Sequence, residues 1–114
     1  MEKAPPERRS EVEPDLRFAN AAAINFQSVA NQARFIVARD SLARSSNTPE
    51  ESRRLRLEIS RLLKAEIDLA RQLFTLVQQD SRIGFEPSCH YFYLPLDLVE
   101  KVVNCRWLLE HFAE

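Results

Sequence analysis

Gly84 is the only glycine in this chain. Tight turns, two-residue hairpins and phosphate-cradling loops all draw on residues that tolerate positive φ, and glycine supplies that freedom most readily. One glycine in 114 residues, beside 29% charged residues, therefore points to helices. A chain of this length builds one domain with a single modest core. The expected architecture is all-α: a long antiparallel helical hairpin with a shorter third helix, in the manner of a three-helix bundle.

Residues 1–14 are polar, carry mixed charge and include Pro5, Pro6 and Pro14. They offer little apolar surface to offset the entropy of ordering, so the expectation is a flexible leader or linker before a single helical domain at 15–114. The first helix is expected from Asp15 to about Arg44. Ala22, Phe26, Val29, Ala33 and Ile36 recur at alternating spacings of four and three, one apolar stripe on a helix, widened by Phe18, Ala19, Ala30 and Val37. Another face carries Asn20, Gln27, Asn31 and Arg34, with Asn25 and Gln32 beside it. Amides both donate and accept. They suit a partner backbone or sugar hydroxyls, and they suit hydrogen bonds between helices equally well. Asn31, Gln32 and Arg34 are therefore candidate contact residues.

Ser45, Ser46 and Asn47 form the expected turn. Thr48-Pro49-Glu50-Glu51 then reads as a helix start, with Thr48 as cap, Pro49 at the first helical position and Glu51 closing a capping box. The second helix is expected to run to about Gln79, with a stripe of Leu55, Ile59, Leu62, Leu69, Leu73 and Leu76. Glu66 falls on that stripe where an apolar residue is expected. A buried carboxylate must find a partner or hold its proton. Arg34, Arg39 and Arg82 are the expected structural partners; a ligand or catalytic role is the alternative. Between Ile67 and Val77 the helix is apolar on more than one side, so the third helix or another domain should cover that end. The arginines at 53, 54, 56 and 61 mark the more exposed end.

The stretch Asp80 to Leu94, DSRIGFEPSCHYFYL, is long for a connection between helices. Gly84 and Pro87 exclude one continuous helix. Arg82 and Glu86 are spaced to form an ion pair. Tyr91 and Tyr93 alternate with Phe92 as in extended backbone. With His90 they could form a platform for a sugar or a partner domain, or plug the open end of the bundle. Pro95 then opens the third helix, in which Leu98, Val102, Cys105, Leu109 and Phe112 form one flank. Leu96, Val99, Val103 and Trp107 form a second, so burial on two sides is expected.

No nucleotide loop, zinc motif, nucleophile elbow or HExxH is present. His90 and His111 have no ligand spacing, and Cys89 and Cys105 make neither a metal motif nor a disulfide framework. No metal or cofactor is expected. A net charge of −1 provides no field to draw in nucleic acid or anionic lipid. No apolar run approaches the ~20 residues of a membrane span. Met1 is followed by no apolar leader segment, so the chain reads as cytoplasmic as written.

The string DSRIGFEPSCHYFYLPLDLVEKVVNCRWLL, together with SVANQARFIVARD and EIDLARQLFTLVQQD, resembles the C-terminal helical region of large bacterial glycoside hydrolase-like proteins. The resemblance covers about residues 15–112. It implies an accessory helical module beside a separate catalytic domain, with carbohydrate or that domain as partner. Arg82, Glu86, His90 and Tyr91 are then the positions nearest the neighbouring domain, and none carries a catalytic role. A free-standing interaction module that forms a homodimer through leftover apolar stripes is the competing expectation. A small enzyme or ligand-binding bundle using Glu66, Glu86 and His90 is the third.

Overall fold

A computed structural model describes residues 6–44, 46–83, 85–86, 91–92 and 94–112, the side chains of 6–11, 85–86 and 91–92 excepted. Three helices account for nearly all of it: α1 (Pro6–Leu42), α2 (Pro49–Gln79) and α3 (Pro95–Phe112). A two-residue antiparallel ladder, Phe85–Glu86 with Tyr91–Phe92, sits in the connection between α2 and α3. The extended backbone expected at Tyr91–Phe92 is present, paired Glu86 to Tyr91. The fold class is all-α, as expected.

α1 starts at Pro6, well before the expected Asp15. Pro6 is well suited to a first helical position, and the Glu and Arg residues that follow are good helix formers. Pro14 lies inside the helix. It removes one backbone donor there, which a helix end far from the packed core accommodates. The hairpin turn is closed by Asn47, whose Nδ2 donates to the carbonyls of Ser41 and Leu42 at 2.6 and 3.3 Å. Both lie in the last turn of α1, where carbonyls lack i+4 helical donors; the Ser41 carbonyl also accepts from the Arg44 amide at 3.2 Å. The capping box at the start of α2 is formed as expected. Thr48 Oγ1 accepts from the Glu51 amide at 3.2 Å, and the Glu51 carboxylate accepts from the Thr48 amide at 2.8 Å.

Ala21 and Ile24, early in α1, share a core cluster with Ala70, Leu73 and Val77, late in α2. Ala38, late in α1, packs with Ile59 and Leu63, early in α2. The two helices are therefore antiparallel. Leu98 joins the first cluster and Cys105 the second, so α3 also runs antiparallel to α2 and extends along both halves of it. The expected docking of α3 on only the apolar end of α2 is thus too narrow. Phe112 reaches back to Phe35 in an edge-on ring contact at 6.5 Å, and its carbonyl accepts from Arg56 at 3.3 Å.

Two expected faces are corrected. The buried line of α1 is Ala21, Ile24, Ser28, Asn31 and Ala38, with Phe35 partly covered. The stripe of Ala22, Phe26, Val29, Ala33 and Ile36 points outward, and Phe26 is 77% exposed. The second flank of α3 is exposed too: Leu96, Val99, Val103 and Trp107 all face outward. On α1 the apolar residues outline a stripe on each side of the helix, and hydrophobicity alone favours the one with larger side chains. Small and polar residues sit on the packed side because α2 brings a carboxylate there.

At the far end of α2, Asp80 ends the helix, its amide donating to the Leu76 carbonyl at 3.0 Å. Its carboxylate accepts from Arg82 Nε at 2.9 Å and Nη2 at 2.6 Å, and from the Arg82 amide at 3.1 Å. Arg82 also lies over the Phe18 ring, 5.3 Å from its centroid. These contacts tie the connection to the early part of α1 and set Ile83 into the core.

Two consequences can be measured. Thr48→Ala removes an N-cap acceptor and is expected to cost about 1 kcal/mol in urea unfolding, within the usual range for cap losses. The Arg82 hydrogen bonds hold the Asp80 carboxyl down at about 2, from an ordinary 3.8. A depressed carboxylate contributes stability that is present above its unfolded value and lost as pH falls through its folded one. Asp80→Asn is therefore expected to flatten the fall in melting temperature between pH 4 and pH 2; an unchanged acid limb would show that Asp80 is not the group responsible.

Candidate functional site

The most unusual chemistry in the fold is a polar cluster at mid-bundle. It takes side chains from all three helices. Ser28 and Asn31 come from the packed face of α1, one turn apart. Glu66 comes from the centre of α2 and is only 5% exposed. Lys101 comes from α3, three residues after Leu98 and four before Cys105, which places it on the line that faces the core.

The carboxylate is the hub. Glu66 Oε1 accepts from Asn31 Nδ2 at 2.8 Å. Its Oε2 accepts from Ser28 Oγ at 2.7 Å and from Lys101 Nζ at 2.6 Å. Lys101 Nζ also donates to Ser28 Oγ at 2.7 Å, closing a ring of three groups. Gln32 Nε2 donates to Ser28 Oγ at 3.1 Å, and Gln27 Nε2 donates to Asn31 Oδ1 at 3.2 Å. Buried polar atoms are costly unless paired, and here each of the three buried side chains is engaged. Glu66 directs both oxygens into the fold.

Beside the cluster lies a cleft of about 240 Å³ between α1 and α3, floored by α2 and lined by Asn31, Phe35, Leu63, Glu66, Lys101 and Cys105 among others. Its walls are mostly apolar. Cys105 is buried at its edge. Burial pushes the thiol up; Lys101 pulls against this and the Glu66 charge adds to it. A thiol raised in this way is a poor nucleophile. It is the free cysteine among the described residues. No group of three or more His, Cys, Asp or Glu side chains that could hold a metal occurs among the described residues.

The residues singled out from the sequence are divided by the fold. Asn31, Gln32 and Glu66 come together in the cluster. Arg34 is exposed on α1. Arg82 sits at the other end of α2, held by Asp80. The side chains of Glu86 and Tyr91 lie outside the described part, as do His90 and Tyr93 altogether. The arginine expected for Glu66 is instead Lys101; Arg39 pairs with its neighbour Asp40 on the surface. Ser28 and Lys101 escaped sequence reading. The signal was present: both stand at three- and four-residue spacings from core positions, where a polar residue is as conspicuous as Glu66 itself. The amide face of α1 thus serves, in part, contacts between helices.

Among the described residues, no helix is long and apolar enough to cross a membrane. Compared with known proteins, the chain matches no family model, no curated protein and no solved structure.

The cluster predicts an asymmetry. Glu66→Leu leaves Lys101, Ser28 and Asn31 without their shared acceptor and is expected to cost about 3 kcal/mol or more. Lys101→Met leaves the carboxylate with two hydrogen bonds, and Lys101 is partly solvated, so about 1–2 kcal/mol is expected. Urea unfolding of the two variants compares them directly. A Lys101→Met loss equal to the Glu66→Leu loss would show that the cluster is not organised around the carboxylate.

Proposed function

We propose that this chain is a non-catalytic helical interaction module whose working surface is the outer face of α1. The observation that carries this reading is the exposed stripe of Phe26, Val29, Ile36 and Val37, flanked by Ala22 and Ala33. Val37 is 67% exposed. Scattered apolar residues on a surface need no explanation, but a contiguous stripe of them marks a docking site. The chemistry around it supports the same reading. From Phe18 to Ala33 the helix carries no charged residue on any side. The outer face of α2, by contrast, carries Arg53, Arg54, Arg61 and Lys64. Water-facing helix surfaces are usually charged, as α2 is; the middle of α1 is built for contact with a neutral surface.

A catalytic reading draws little from the polar cluster, since Glu66 has both oxygens taken by internal donors and Cys105 is held as a thiol. The accessory role implied by the glycoside hydrolase-like resemblance is one form of docking, with a catalytic domain on the α1 face. Its carbohydrate aspect rests on the resemblance alone.

The test is site-specific photocrosslinking in cells. A benzoylphenylalanine at position 26 is expected to give macromolecular adducts, whereas the same group at position 61, on the solvated face of α2, is not. Equal and negligible adducts at both positions would remove the docking reading.

A further inference from the structure

We propose that one water molecule is bound between α1 and α3, donating to Asn25 Oδ1 and accepting from Lys101 Nζ, as a further member of the polar cluster.

The first observation is an orphaned acceptor. Asn25 stands one turn before Ser28 on α1 and is partly buried. Its Oδ1 is buried and receives no hydrogen bond from any described residue. Folded proteins seldom leave a buried carbonyl oxygen without a donor, because it has given up its hydration for nothing. The second observation is a donor beside it. An ammonium has three hydrogens, and those of Lys101 are shared with Glu66 Oε2 at 2.6 Å and Ser28 Oγ at 2.7 Å, which uses two. Asn25 and Lys101 line the same small void, walled otherwise by Ser28 and by apolar side chains that include Leu69, Leu73 and Leu98.

Size and polarity identify the occupant. The void offers about 10 Å³ to a water-sized sphere. Holding one water takes on the order of 10–15 Å³, so there is room for that and for no organic ligand. The occupant must donate towards Asn25 and accept from Lys101, and water does both. A chloride ion has no hydrogen to give to Asn25. An ammonium or alkali ion would bring a second positive charge beside Lys101. Ser28 cannot take the place of the water. Its hydroxyl donates to Glu66 and accepts from Gln32 and Lys101, which uses its one hydrogen and both lone pairs. The water thus gives Lys101 a third acceptor and joins α1 to α3 one helical turn beyond Ser28.

The experiment is a crystal structure of the full chain at a resolution that shows ordered waters. One peak is expected at about 2.8–3.0 Å from both Asn25 Oδ1 and Lys101 Nζ. In solution, the same water should give cross-relaxation peaks to the Leu98 methyl groups with the sign of a long-lived complex. Asn25→Leu removes the acceptor and Lys101→Met the donor, and each is expected to lose these signals. Asn25→Asp keeps an acceptor and should retain them. A direct Lys101–Asn25 hydrogen bond with no water between, or an empty void, overturns the proposal. So does a water that persists in both Asn25→Leu and Lys101→Met, since the two side chains would then not be what holds it.

Discussion

A carboxylate placed at the centre of the middle helix sets the conditions for the rest of the molecule. Glu66 cannot be buried as an ion unless donors converge on it, and one helix cannot supply them. α1 brings Ser28 and Asn31, and α3 brings Lys101. Taking these groups out of water costs several kcal/mol per ion, and replacing such a pair by apolar residues is often neutral or stabilising. The cluster is thus poorly explained as a source of stability alone. What it provides is register. The two apolar clusters on either side of it are built mainly from Ala, Leu, Ile and Val, whose contacts are not directional. A one-turn slide of α1 along α2 would keep much of that contact but strip two donors from Glu66. The hydrogen bonds make the wrong alignments expensive.

The two ends of the bundle are fixed by different means. At the hairpin end, Asn47 holds the last carbonyls of α1 and the capping box starts α2, so the turn is specified locally. Phe35 and Phe112 close the same end across α1 and α3. At the other end, Asp80 stops α2, and its paired Arg82 reaches across to Phe18 of α1. The mid-bundle cluster lies between these two anchorages. Each helix is therefore held at more than one level along the bundle.

The fold was legible in the sequence where local chemistry decides it. Thr48-Pro49-Glu50-Glu51, the end of α2 near Gln79 and the opening of α3 at Pro95 are all specified by residues close in the chain. The phase of α1 was not legible from hydrophobicity, because large apolar side chains lie on both sides, Ile24 and Phe35 inward and Phe26, Val29 and Ile36 outward, and its packed line includes Ser28 and Asn31. That inversion depends on Glu66, distant in sequence, whose ion-pair partner is a lysine of α3. Lys101 follows Glu100 and reads locally as half of an ordinary surface charge pair. Its helical position between Leu98 and Cys105 is what distinguishes it. The candidate site was thus half readable: Asn31, Gln32 and Glu66 were visible singly, while their convergence required the packing of three helices.

The same inversion explains why α1 has two unlike faces. A helix whose inner side must offer hydrogen bonds and close approach can use Ala, Ser and Asn there, with little of the apolar surface that would stabilise it. Ala21, Ser28, Asn31 and Ala38 bury small side chains, so the α1–α2 contact has less apolar area than a Leu-lined seam of equal length. Ile24 and Phe35 supply the larger groups on the packed side, while Phe26, Val29, Ile36 and Val37 lie on the side away from α2. Apolar surface of that kind lowers the free energy of the chain only when something covers it. The internal demand for a polar inner face and the apolar outer face are therefore linked. α1 is held in register by Glu66 on one side, and that alignment leaves the apolar stripe facing outward on the other.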